Sequence, residues 1–285
     1  MAVDLVIIGH LARNENITPT GTKVSDGGSA YYAAVGASVI SPERVGVIAP
    51  IGMDFDLTSV IKLGVNREGI TSIIEGNTPQ FIIAQHSDGS RTFHAEWGVA
   101  DHTPMLAFPR SYASAGHVHL ATAPPHQQLA WLHQLRKLKN RPIVSVDTFE
   151  HFAQVYPNES RKVCQLADIV FMNEAERQLL GVVRPWWSGA TILKRGALGA
   201  RYMHGTAVYE VPAPSVSAID TTGAGDVLAG AFLALRSAGV HVGEALAEAV
   251  SIATASVVDF GMDGVDLRLA LGRTRHLAES RRTIG

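Results

Sequence analysis

Residues 218–232 read AIDTTGAGDVLAGAF, and few architectures can accommodate such a run. An apolar, proline-bearing segment ends at Asp220. Two threonines follow, then Gly223-Ala224-Gly225 and Asp226. From Val227 the pattern turns helical, with Leu228, Ala229, Ala231, Phe232, Leu233 and Leu235 covering one broad face. A glycine-rich turn therefore opens a helix with a carboxylate in its first turn. A helix start leaves backbone N–H groups unpaired and carries a partial positive charge. Glycine lets an anion approach that backbone closely. An acid beside an anion cradle can take a proton from a hydroxyl while the cradle steadies a phosphoryl group in transfer. The plainer reading makes Asp226 a helix N-terminal acid and the glycines a tight turn.

The rest of the chain says what surrounds this helix. Leu5–Gly9 is a first strand, and residues 10–26 are polar and turn-rich. A helix spans about 28–40, Val45–Ala49 is a strand, and 54–64 suits a helix. Between Thr71 and Trp97, Ile73-Ile74, Phe81–Ala84 and Arg91–His94 are short β-type runs, with Asp88-Gly89 as a hairpin turn. They predict a small sheet apart from the main one. After residue 105 strands alternate with helices: strands at 118–121, 143–147, 169–172 and 191–194, helices at 127–138, 158–166 and 174–180. A hairpin at 200–211 and helices at about 226–238 and 243–258 complete the order. Such alternation predicts an α/β fold with a mainly parallel sheet covered on both faces. Ligands then sit at the C-terminal ends of the strands.

Bulk properties narrow the class. The 285 residues suffice for one large α/β domain or two small ones. With 24 basic and 26 acidic residues there is no excess charge to suit nucleic acid. A lone Cys164 excludes an internal disulfide and fits a reducing compartment. No apolar run approaches a membrane span, and MAVDLVIIGH reads as a buried strand. These features predict a soluble, cytoplasmic protein without nucleic-acid or membrane partners. His117 and His119 alternate on a strand with His126 downstream, but no carboxylate or cysteine stands at zinc-ligand spacing. There is no GxxxxGK[ST] and no GxGxxG after a strand. Three further strings stand out: Gly27-Gly28 before the first long helix, Asn173 and Glu176 spaced as a helix cap, and Lys194 through Gly199 after a strand.

DTTGAGD followed by a small-residue helix resembles the C-terminal signature of the PfkB/ribokinase family of carbohydrate and nucleoside kinases. The resemblance covers nearly the whole chain. It implies a single domain over 1–285 with a ribokinase-like three-layer sandwich, and a small β-sheet lid from about 10–26 and 71–97. It implies ATP as phosphate donor, with Asp226 as base and Gly223, Ala224 and Gly225 as the anion cradle. Gly27, Gly28 and Ser29 match the family's N-terminal GG string, which cradles the acceptor. Tyr32 stands where sugar kinases usually carry Asn, and Asn14 where they carry Asp. Arg91 matches a frequent arginine of the lid hairpin. Asn173 and Glu176 match the pair that organises magnesium, partly through water. Lys194, Gly196, Gly199 and Thr222 match the nucleotide-phosphate side. Asp220 and Thr222 match a loop that holds a monovalent cation such as K⁺, with a second segment near Ser256–Gly261. The aromatic Tyr32 and the lid pattern are similar to the inositol-kinase branch, so a cyclitol such as myo-inositol, or a simple sugar, is the first expected acceptor. A nucleoside is the alternative, with Tyr31, Phe93 and Trp97 as aromatic surface for a base, and an idle PfkB-like binding protein is another. A homodimer through the lid is also expected.

Overall fold

The computed structural model describes residues 2–18, 21–85, 91–181 and 188–259. In chain order the first half contains β1 (Leu5–Ile8), β2 (Ala12–Thr18), β3 (Gly21–Gly27), α1 (Ser29–Ser38), β4 (Val45–Gly52), α2 (Thr58–Leu63), β5 (Asn66–Ile73), β6 (Gln80–Gln85) and β7 (Arg91–Glu96). The middle runs β8 (His117–Leu120), α3 (Pro125–Leu135), β9 (Ile143–Asp147), α4 (Glu150–Val155), α5 (Pro157–Leu166), β10 (Ile169–Asn173) and α6 (Glu174–Leu180). It ends with β11 (Ala190–Lys194), β12 (Ala200–His204), β13 (Ala207–Val211), α7 (Ala224–Ser237) and α8 (Val242–Ser256).

A nine-stranded sheet orders as β13-β12-β11-β10-β9-β8-β1-β4-β5. From β11 to β5 neighbours are parallel, and the β12–β13 hairpin joins antiparallel at one edge. The inner strands LVII and IVFMN are almost wholly apolar, as parallel strands covered on both faces must be. One face packs under α1, α2, α7 and α8 through residues such as Leu5, Ile7, Phe171 and Phe232. The other packs under α3 to α6 through Val6, Ile8, Trp131 and Val163.

The α1–α7 contact is the tightest in the first layer. A Cβ on Gly230 would lie 1.8 Å from the Ala33 carbonyl oxygen, and one on Gly36 would lie 2.1 Å from that of Val227. The two helices therefore meet backbone to backbone, and all ten residues of α1 are buried.

A second, four-stranded sheet orders as β3-β2-β6-β7. Its two hairpins are antiparallel and meet through the parallel pair β2–β6. Residues 10–26, read as polar and turn-rich and also as part of the small sheet, form most of the β2–β3 hairpin, whose strands ARNENIT and GTKVSDG line a sheet with one open face. One expectation changes here. Ile73 ends β5, which pairs with β4 in the large sheet and not with the small one. The helix α4 and a 3₁₀ segment at Gly98–Met105 were not expected. The Asp88-Gly89 turn lies outside the described residues.

Candidate active site

Between β1 and β8 the strand order reverses: the chain goes from β1 to β4 on one side and returns to β8 on the other. Such a switch point opens a crevice at the C-terminal ends of the strands. Gly27 and Gly28 cross it. Gly28 has φ 93°, and a Cβ there would lie 2.5 Å from the His10 carbonyl oxygen, so only glycine fits. Ser29 then spans the crevice, donating its hydroxyl to the Thr122 carbonyl at 2.8 Å.

The GAGD turn arrives from the α7 side. Gly223 is the left-handed N-cap of α7, with φ 73°. Ala224 N–H makes only a long 3.3 Å bond to the Thr221 carbonyl. The N–H groups of Gly223 and Gly225 donate to no group among the described residues. Asp226 follows in the first turn, and its Oδ1 is buried and accepts no hydrogen bond there. Burial raises its pKa, the charge of Asp147 raises it further, and Lys194 opposes both. The folded pKa thus lies above the unfolded one. The proton is held more tightly in the fold, and this group's contribution to stability is lost as pH rises through the raised value.

Lys194 is largely withdrawn from solvent. From the end of β11 it reaches across β10 to Asp147 at the end of β9, with Nζ to Oδ1 at 2.5 Å. Its stem passes over Gly225, where a Cβ would lie 3.1 Å from Nζ. Burial alone would lower its pKa; the carboxylates of Asp147, Glu176 and Asp226 outweigh that and raise it, so the amine stays charged. Asp147 is fully buried, and its Oδ2 has no partner among the described residues. The sequence reading missed Asp147. The available signal was a carboxylate closing a parallel strand, where α/β ligands bind.

Asn173 and Glu176 form the capping box of α6. Asn173 Oδ1 accepts from Glu176 N–H at 2.8 Å, and Asn173 Nδ2 donates to Glu176 Oε1 at 2.9 Å. Glu176 Oε2 takes the Asn173 N–H at 2.9 Å and the Thr148 hydroxyl at 2.7 Å. Both its oxygens are occupied and the residue is buried. Among the described residues no three His, Cys, Asp or Glu side chains form a metal cage. Magnesium binds through one or two carboxylates plus phosphates and retained waters. The unpartnered Asp147 Oδ2 fits that donor set, whereas the Glu176 oxygens are committed to the α6 cap and to Thr148 and would act only on a retained water.

A cavity of about 450 Å³ adjoins the helix start. Gly196, Gly199 and Lys194 edge it, Thr221 and Gly225 close one end, and Val250 and Val257 belong to its wall. Gly199 has φ 88°, and a Cβ there would lie 1.9 Å from the Val211 carbonyl oxygen. Asp220 Oδ1 accepts the Thr222 N–H at 2.9 Å. The Ile219 and Asp220 N–H groups both donate to the Val257 carbonyl, which joins this loop to the end of α8. The segment from 260 onward lies outside the described residues.

On the opposite side, Asn14 of β2 donates from Nδ2 to Tyr32 Oη at 2.8 Å. The Tyr32 ring lies against Gly223, where a Cβ would be 2.2 Å from Cγ. Arg91 pairs with Gln85 at the start of β7, and its side chain, like that of Phe93, is outside the described set. Tyr31 is buried edge-on to Tyr32, with ring centroids 5.7 Å apart. Beside Asn14, in register, stands Phe81. It meets His10 at 5.3 Å and Trp97 at 5.6 Å between ring centroids, and Trp97 meets Phe152 of α4 at 6.0 Å. Burial lowers the His10 pKa to about 4, so the imidazole is a neutral ring in this cluster. His10, Phe81 and Phe152 were not read as site residues, since the cluster draws on separate segments of the chain.

Known proteins agree with this geometry. The family model for pfkB family carbohydrate kinases matches residues 1–264. A cytidine kinase of Thermococcus kodakarensis is 29% identical over 259 residues, covering 83% of this chain and 90% of that one. Two solved structures are similar in fold. A nucleoside kinase of Methanocaldococcus jannaschii has a TM-score of 0.79 at 20% identity, covering 95% of this chain and 99% of that one. A fructokinase of Xylella fastidiosa with bound ATP has a TM-score of 0.81 at 19% identity, covering 98% and 99%. The large sheet, the small sheet and the glycine-framed helix starts are those of a ribokinase-like fold, and the chain belongs to the PfkB family of ATP-dependent kinases.

Proposed function

We propose that this kinase transfers the γ-phosphoryl group of ATP to a hydroxyl of a nucleoside. The observation that carries the acceptor class is the aromatic cluster of His10, Phe81, Trp97 and Phe152 beside Asn14. Trp97 is only half-buried and Phe149, 5.5 Å from Phe152, is exposed, so ring surface remains for a base. The similarity to a cytidine kinase supports the same choice. The cyclitol expectation rested on the lid pattern, the short chain and Tyr32, whose ring packs against Gly223 and whose hydroxyl is tied to Asn14. Nothing in that arrangement favours a cyclitol.

In this mechanism ATP enters the cavity beside Gly225, and the phosphates lie toward Lys194 and the free N–H groups of Gly223 and Gly225. Asp226 accepts the proton of the attacking hydroxyl. The cradle and Lys194 stabilise charge on the transferring group, with most of the rate coming from positioning and electrostatics. Bound magnesium would neutralise phosphate charge, with Asp147 and Glu176 holding it or its waters. The small sheet closes over the acceptor and excludes water. The Asp220–Thr222 loop takes the monovalent cation. A second copy pairs on the outer face of the small sheet, where Ile17 and Val24 are exposed; a monomeric mass by sedimentation would remove that part.

The test is kcat/KM across common nucleosides, ribose, fructose and myo-inositol. A nucleoside should exceed every polyol, and any polyol in first place overturns the acceptor class. Base–aromatic stacking is worth roughly 1–3 kcal/mol. Trp97→Ala should therefore raise the KM for the nucleoside by about tenfold and leave that for ATP little changed.

The Asp147 charge supplies a pH prediction. It helps to raise the Asp226 pKa, so kcat/KM should climb with pH well above the ordinary carboxylate range. In Asp147→Asn that climb should move to lower pH. A limb that stays in place, followed in a pH–rate profile, would mean the two carboxylates do not sense each other.

A further inference from the structure

The large sheet is left partly bare at the edge away from the GAGD turn. On its α7 face, α7 packs over β1 and β8, and α8 over β12 and β13. The starts of β9, β10 and β11 lie between them in the strand order, and a cavity of about 620 Å³ opens there. It is larger than the cavity of about 450 Å³ beside Gly225. It also lies at the N-terminal ends of the strands, opposite the crevice described above. Asp226 and Arg236 stand at the two ends of α7, a separation of about 15 Å at the helical rise. Ile143 pairs in register with His117, whose Nδ1 meets Ser237 of α7, so both side chains face this side of the sheet.

Arg136, Arg141 and Arg236 line this cavity against a single carboxylate, Asp168. That carboxylate is already spent: Oδ1 accepts from Arg141 at 2.7 Å and Oδ2 from the Val144 N–H at 2.8 Å. Arg136 donates one N–H to the Leu166 carbonyl at 3.2 Å, and Arg236 donates one to the Val240 carbonyl. Neither meets an acid among the described residues. A guanidinium carries five N–H donors, so one carbonyl fixes each head and leaves most of it open. The Arg236 charge is felt on both walls. Burial raises the Tyr202 pKa and Arg236 opposes the rise; burial lowers the His117 pKa and Arg236 lowers it further. Asp4, which acts the other way on His117, is itself paired with Arg44. The floor is apolar: Ile143 is 44% exposed, and Ile169 and the Tyr202 ring are half-buried.

Open guanidinium forks suit a phosphate, and a concave apolar floor suits a ligand with a body to cover it. We infer that this cavity binds an organic phosphate of the size of a nucleoside monophosphate. The phosphate meets the open N–H groups of Arg136 and Arg236, and the ring body rests on Ile143 and Tyr202. Inorganic phosphate would leave that floor bare. The site does not depend on which alcohol the kinase phosphorylates. Its ligand is the kinase's own product or a nucleotide made elsewhere, since both carry this chemistry.

The test is calorimetric titration of the full-length protein with AMP, CMP, the phosphorylated product and inorganic phosphate. AMP-PNP at saturation fills the cavity beside Gly225, and a monophosphate should still bind. Arg136→Gln and Arg236→Gln should each weaken that binding by about tenfold or more, the loss of a charge-assisted hydrogen bond. Both should keep kcat and the KM for ATP, which a ligand seated at the GAGD turn would not allow. Ile143→Glu sets a carboxylate on the floor without touching either carbonyl bond, and it should abolish binding. Thermal melts establish that the variants are folded. The tightest binding by the product makes the site a product sensor; equal binding of AMP whatever the acceptor assigns it to outside nucleotides. Either result supports the site. Affinities unmoved in all three variants, inorganic phosphate binding as tightly as the esters, or no binding of any monophosphate overturns the proposal.

Discussion

Asp226→Asn is expected to lower kcat by at least about 10²-fold, the lower scale of a general-base contribution. The KM for ATP should change little, because the amide keeps the shape of the first turn of α7. The same substitution should raise the thermal midpoint of the ligand-free protein at alkaline pH. There the wild-type carboxylate is ionised in a site where burial and Asp147 both oppose its charge. At mildly acidic pH the wild-type group is protonated, and the two proteins should melt together. Near-normal turnover would remove Asp226 as the base. Unchanged melting at high pH would mean that its charge is not held against a cost.

Gly230→Ala should have the largest effect on stability. Its Cβ would sit 1.8 Å from the Ala33 carbonyl oxygen, where backbone and not a flexible side chain must yield. A loss of about 3 kcal/mol or more is expected, at or above the upper range for overpacking. Gly36→Ala meets the Val227 carbonyl in the same way. Gly116→Ala is the control: nothing lies near its Cβ position, so its unfolding midpoint should move by about 0.5 kcal/mol at most. Wild-type denaturation curves for Gly230→Ala would mean that α1 and α7 do not touch as described.

What could be read in the chain was what is local. The GAGD turn, its helix and the strand–helix rhythm each lie within a short window, so spacing alone locates them. The small sheet was legible only in part. ARNENIT carries no apolar alternation, and the β-branched run ending at Ile73 does not reveal which of two sheets it joins. Most residues of the proposed donor side could be picked out because GAGD, Lys194 and the Asn173 cap sit at strand or helix ends with recognisable strings. Asp147 has no such string; only the register of β9, β10 and β11 brings it under Lys194. The acceptor side was least legible. His10, Phe81, Trp97 and Phe152 meet only after two sheets have formed, and no sequence window contains them together.

The carbonyl-to-glycine seam between α1 and α7 bears on how such an enzyme tolerates heat and change. The helix starts proposed to face the acceptor and the phosphoryl group belong to these two helices. No rotamer separates them, so side-chain motion has no means of altering their spacing. Warming should therefore disturb the small sheet before it disturbs the spacing of the two helix starts. The same seam lets substitutions in the small sheet reshape the proposed acceptor side while the distance between the two helix starts stays fixed.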